Sequence, residues 1–190
     1  MSGGPGRAGP VPIGSDPGDY DRLRRRVLWS LPTGLYVVGS RSDAGGQVRA
    51  NLMTANLVVQ VSVDPKVVAV AVEADALTRR LIEEGRCFTV CLLDRADRAL
   101  VRKFVKPVVD MFVAPDGRLA AMNGEAVTVG VTGAPVLARS AAWLDCTLRQ
   151  RIELGSHVLF LGEVVDVAGP SEGAVTDVLR MEDTRMSYGG

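Results

Sequence analysis

The spacing of apolar and polar residues changes near residue 34. Before it, Tyr20, Leu23, Val27 and Leu31 recur at helical intervals with Arg22, Arg24, Arg25 and Arg26 largely opposite them, which predicts a helix over residues 20–31 ended by Pro32. After it, the signal is β. Residues 34–40 and 47–52 flank Asp43, Ala44, Gly45 and Gly46, a composition suited to a hairpin turn. Val-rich runs at 57–63 and 67–72 predict two further strands, with Asp64-Pro65 interrupting their pairing. Asp75 is placed to cap a helix through Glu84 that Gly85 terminates, and residues 87–93 return as strand. Asp94 is placed to cap another helix ending before Pro107. Within 144–154, Leu144, Cys146, Leu148, Ile152 and Leu154 alternate with Asp145, Thr147, Arg149, Arg151 and Glu153, which predicts one core face and one wet face. Residues 158–167 follow Gly155, Ser156 and His157 as the hairpin partner.

Many short strands, few helices and no alternation of strand with helix predict a mainly β fold, a closed antiparallel barrel with short helical excursions. Residues 1–19 hold six Gly and four Pro among few large apolar side chains, so they are expected to form a flexible tail, with residues 20–190 as the domain.

The 190 residues carry 22 acidic and 22 basic side chains, which provides no electrostatic footprint for nucleic acid. No apolar run approaches a membrane span. Three cysteines in a chain opening MSGGPGRAGP, without an apolar signal segment, point to a reduced cytoplasmic setting. A metal site is not expected, because Cys87, Cys91, Cys146 and His157 lack the usual ligand spacing. The single His and the absence of G-x-S-x-G disfavour a hydrolase. The usual dinucleotide and P-loop glycine signatures are also missing, so any nucleotide must be held another way.

Five stretches in order carry a resemblance. They are Thr54-Ala55-Asn56 with Val61-Ser62-Val63-Asp64-Pro65; Leu77-Thr78 with Ile82; GRCFTVCLL from Gly85; Gly133-Ala134-Pro135-Val136-Leu137 with Trp143-Leu144-Asp145-Cys146; and Gly155-Ser156-His157 leading into Leu161-Gly162-Glu163-Val164. Over residues 31–167 the chain resembles the flavin reductase-like, FMN-binding split-barrel family. It departs from that pattern at Gln60, where a Ser is frequent; at Lys66, where a second Pro is usual; at Cys91, in place of an Asn; and at Ser156, in place of an Asp.

The resemblance implies a homodimeric split β-barrel that binds FMN, with FAD the alternative, and takes hydride from NAD(P)H. The reduced flavin would be supplied to a partner monooxygenase. Alternatives are a flavin carrier without enzymatic activity and a flavin-dependent reductase of an organic substrate. It implies flavin contact for Asn51, Leu52, Met53, Thr54 and Asn56, a segment that otherwise reads as a polar strand end. Ser62 either meets the ribityl chain or caps the turn at Pro65. Thr78 and Arg79 fall in a first helical turn, where backbone donors and the dipole favour an anion; Arg79 is equally spaced to pair with Glu83. His157 is the candidate catalytic residue, on the nicotinamide side. Cys87 and Cys91 share one strand face and are expected in the core, as is Trp143.

Overall fold

The computed structural model describes residues 10–170, 177–184 and 186, and the chain divides into two compact units, Met1–Pro32 with Met186–Gly190 and Thr33–Arg185. In the first, helix α1 spans Pro17–Leu28. It begins three residues before the apolar period does, so residues 17–19 of the expected tail are helical. The cause is local: the Asp16 carboxylate accepts from Asp19 N at 2.9 Å, and Pro17 has the φ that a first helical position needs. Its arginines pair along the helix, Arg22 with Asp19 and both Arg24 and Arg25 with Asp21, and no α1 residue is buried. Residues 1–9 of the expected tail lie outside the described residues.

The second unit is built on strands β1 (Tyr36–Ser42), β2 (Arg49–Ala55), β3 (Val58–Val63), β4 (Lys66–Glu73), β5 (Cys87–Leu92), β6 (Met111–Val113), β7 (Leu119–Met122), β8 (Glu125–Val129), β9 (Pro135–Leu137), β10 (Ala142–Glu153) and β11 (His157–Ala168), with helix α2 (Leu77–Gly85) after β4. Seven strands pair antiparallel in the order β2-β1-β5-β10-β11-β4-β3, and a smaller sheet runs β6-β7-β8-β9. The edge strands β2 and β3 are separated in sequence only by Asn56 and Leu57. Three residue steps reach about 11 Å at most, whereas the edges of a flat seven-stranded sheet lie about 29 Å apart. The sheet is therefore rolled. The expected full closure is not found, because no ladder joins β2 to β3 among the described residues. Inside the roll, Val38, Val70, Val72, Phe88, Val90 and Phe160 pack with Ile82 of α2.

Four local expectations are corrected. Asp64-Pro65, a cis peptide, does not interrupt pairing; it forms the turn between Val63 and Lys66, where no ladder donor is required of Pro. Asp75 does not cap α2, whose N-cap is Ala76 with no side-chain bond. Gly85 is the last residue of α2 rather than its terminator, and its missing Cβ is required because one would lie 1.7 Å from the Arg41 carbonyl oxygen. The helix expected after Asp94 is two 3-10 turns, Arg95–Asp97 and Leu100–Phe104. There the Val101 carbonyl accepts the Thr54 hydroxyl at 2.5 Å, and Arg102 N bonds Ala99 O three residues back.

The alternation of β10 also breaks. Register shifts at Asp145/Cys146 and Leu148/Gln150 interrupt the period of two, leaving Ile152 and Leu154 38% and 56% exposed. Asp145, expected wet, is fully buried and accepts Thr132 N at 2.8 Å and the Thr132 hydroxyl at 2.6 Å.

Candidate functional site

The chemistry-bearing positions gather at the start of α2. Strand β4 delivers Glu73 opposite His157 of β11, and Ala74 N donates to Ser156 O at 3.0 Å, which fastens the turn of Gly155, Ser156 and His157 beside the entry to α2. With no side-chain acceptor at Ala76, the first-turn N–H groups of α2 remain at the positive end of its dipole. Ser156 Oγ lies 2.9 Å from His157 Nδ1, and the ring is half-buried. This is an anion-accepting backbone end next to an orientable imidazole.

The residues expected to touch flavin are placed differently from one another. Asn51 Nδ2 donates to Thr78 Oγ1 at 2.9 Å and Asn51 Oδ1 accepts Val108 N at 2.9 Å; all three residues are buried. The Thr54 hydroxyl is engaged by Val101 O, and Leu52 is fully buried. These four side chains are occupied inside the fold, because β2 lies between the barrel interior and the turn at Leu100–Phe104. Met53 and Asn56 are partly exposed. Arg79 Nε donates to Glu83 Oε1 at 3.0 Å, and its Nη1 lies 3.4 Å from Ala74 O. Of the two readings of Arg79, the ion pair is thus formed. Ser62 pairs with Val67 at the other end of β4. The six steps from Val67 to Glu73 place it about 20 Å along the strand from the α2 entry.

A second concavity of about 280 Å³ opens on the rolled sheet, walled by Tyr36, Leu92, Leu144 and Val164, with Gln60 and Lys66 as its polar members. Gln60 and Lys66, two of the departures from the family pattern, face the same space. The cleft has one legible signal, the apolar positions of six strands, but their convergence is a tertiary fact.

Cys87, Cys91 and Cys146 are free and buried. Cys91 Sγ accepts Leu137 N at 3.4 Å, so the residue standing in place of an Asn still receives a backbone donor. Burial raises all three thiols, and the Cys146 thiol is pushed up to about 12 by burial and then by the adjacent Asp145 carboxylate. A native thiol raised above its usual 9.0 contributes stability that is fully present below pH 9 and is lost as pH rises toward 12. The urea midpoint is accordingly expected to fall from pH 9 upward, and to fall less steeply in Cys146→Ala relative to that variant's own value at pH 8. Parallel pH curves for the two proteins would show that Cys146 does not carry the effect.

No helix among the described residues is long and apolar enough to cross a membrane, and none of their acidic, His and Cys side chains cluster as a metal site.

The model of the flavin reductase like domain family matches residues 28–187. The NADH-dependent FAD reductase of Streptomyces globisporus is 34% identical over 154 residues, covering 79% of this chain and 76% of that protein. The reductase subunit of stachydrine N-demethylase from Rhizobium meliloti (strain 1021) is 30% identical over 143 residues, 75% of this chain. The chain spans 56% of the length of that relative. Among solved structures, the NADH:FAD oxidoreductase of Streptomyces globisporus C-1027 aligns with a TM-score of 0.68 at 27% identity, covering 95% of this chain and 98% of that one.

Proposed function

The chain belongs to the flavin reductase like domain family, and from that membership we propose that it is an NAD(P)H-dependent flavin reductase, holding FMN with FAD as the alternative. The observation that carries this reading is the fastening of the His157 turn to the uncapped start of α2 through Ala74 N and Ser156 O. The nucleotide phosphate suits the backbone donors of that first turn, where a dianion meets the positive end of the dipole. Asn56, just past the end of β2 and partly exposed, is the side chain of its segment left to meet the ring; Met53 is partly exposed but packs against the core, and Asn51, Leu52, Thr54 and Thr78 are held inside the fold.

When bound, the flavin would supply the hydride-accepting centre, which no side chain here provides. The chain's part is orientation. Ser156 engages Nδ1 of His157 and leaves Nε2 for the second nucleotide. Ser62, about 20 Å along β4 from the α2 entry, is left for a homodimer to bring into the same site. The exposed Val61 and Val63 of edge strand β3 support such pairing. Reduced flavin would pass to a partner monooxygenase, in keeping with the reductase-subunit relative. The free, buried cysteines are consistent with a cytoplasmic setting.

Anaerobic stopped-flow mixing of the FMN-loaded protein with NADH or NADPH tests the proposal. The flavin absorbance is expected to bleach, and His157→Ala to slow bleaching by about tenfold to a hundredfold while FMN affinity stays near that of the parent. Retained FMN with no bleaching by either nucleotide would replace the reductase with a flavin carrier. Equal rates in parent and variant would remove His157 from the mechanism.

A further inference from the structure

We propose that the cleft between Tyr36 and Lys66 is a binding site for a small monocyclic aromatic carboxylate, separate from the α2 entry. Its floor is Val68 and Val90, both buried, and its walls are the side chains of Tyr36, Leu92, Leu144 and Val164. Burial holds the Tyr36 phenol above its usual range, so water hydrates this wall poorly. The volume is about 280 Å³, at the small end for ligand sites. At about 30 Å³ per water in the liquid, that is room for about nine waters, or a ligand with a similar number of heavy atoms, the size of benzoate.

Charge selects within that size class. Among the described residues Lys66 is the only charged one lining the cleft, and it enters no ion pair with any of them. Gln60 Nε2 donates to Ser62 O at 3.0 Å, which holds the amide in place at the same opening. A flat ring suits the Val surfaces and the Tyr36 face, while a carboxylate at the opening meets the ammonium. A carboxylate facing inward would be stranded among apolar walls, so the ring enters first and the charge stays at Lys66.

The lining of the cleft is independent of flavin binding at the α2 entry. Benzoate and its neutral counterpart benzyl alcohol are titrated into the full chain, with chemical shifts recorded in a 15N-labelled sample. Saturable benzoate binding is expected, tighter than benzyl alcohol by about tenfold, with shifts centred on Tyr36, Val67, Leu144 and Val164. Lys66→Met should erase the preference for the anion and Lys66→Arg should keep it. The proposal is overturned by unsaturable binding, by equal binding of the two ligands, by a preference that survives in Lys66→Met, or by shifts centred elsewhere. Added FMN should leave benzoate affinity unchanged; competition between them would make the cleft part of the flavin site and defeat its separateness.

Discussion

Gly39→Ala is expected to cost more than about 3 kcal/mol of folding stability, among the largest losses for a one-carbon change in this chain. Gly39 lies in β1, directly between β2 and β5, and a Cβ there would sit 1.9 Å from the Pro135 carbonyl oxygen and 2.3 Å from Thr89 Oγ1. Neither can withdraw cheaply. Pro135 belongs to β9, which is tied to β8, and its carbonyl already accepts the Thr89 hydroxyl at 2.5 Å. This close approach joins the smaller sheet to the rolled one, so the damage is expected at the junction of the two sheets. Gly169→Ala is the control, since its Cβ would meet nothing nearer than 3.5 Å. Urea denaturation should separate the two variants clearly; similar midpoints would show that the junction accommodates the added methyl.

FMN is expected to bind more tightly than riboflavin by about tenfold to a hundredfold, the range for one charge-assisted anchor of roughly 1.5–3 kcal/mol. The difference arises from the phosphate alone, docked on the first-turn donors that Ala76 leaves uncapped. Thr78→Ala should act on another quantity. Its hydroxyl is committed to Asn51 Nδ2 in a buried pair, so its loss leaves that amide donor unmatched and is expected to lower stability by about 1–3 kcal/mol. Arg79→Ala should weaken FMN less than removal of the phosphate does, because its guanidinium is already engaged by Glu83. Calorimetry with both ligands checks this, and equal affinities for FMN and riboflavin would move the phosphate away from α2.

Much of the framework is legible in the order of residues. The change from helical to strand period near residue 34, the hairpin around Gly45 and the pairing of β10 with β11 follow from local chemistry: apolar period, turn composition and strand propensity act within a few residues. The family resemblance carries the functional reading the same way, through short ordered stretches. The failures were equally local in origin. Asp75 looked like a cap because Asp caps helices, yet the chain turns into α2 one residue later, at Ala76. Leu144 to Leu154 looked like one alternating strand because nothing in the residues announces the two register shifts that expose Ile152 and bury Asp145.

The site divides on the same line. The candidate residues, the strand-rich class, and the small polar side chains at Asn51, Thr54, Ser62 and Thr78 are legible in the order of residues, because residue type and spacing are properties of the chain alone. Which of these are occupied elsewhere follows from the packing of distant elements. Asn51 and Thr78 are 27 positions apart and meet only because α2 packs across β1 and β2; Thr54 finds the Val101 carbonyl 47 positions away. A buried polar group must be paired, and its partner is chosen by which backbone the fold brings within 3 Å or so. The same rolling of the sheet brings Tyr36, Gln60, Lys66 and Leu144 around one cleft, a juxtaposition that spacing along a strand does not encode because it depends on the order in which distant strands pair.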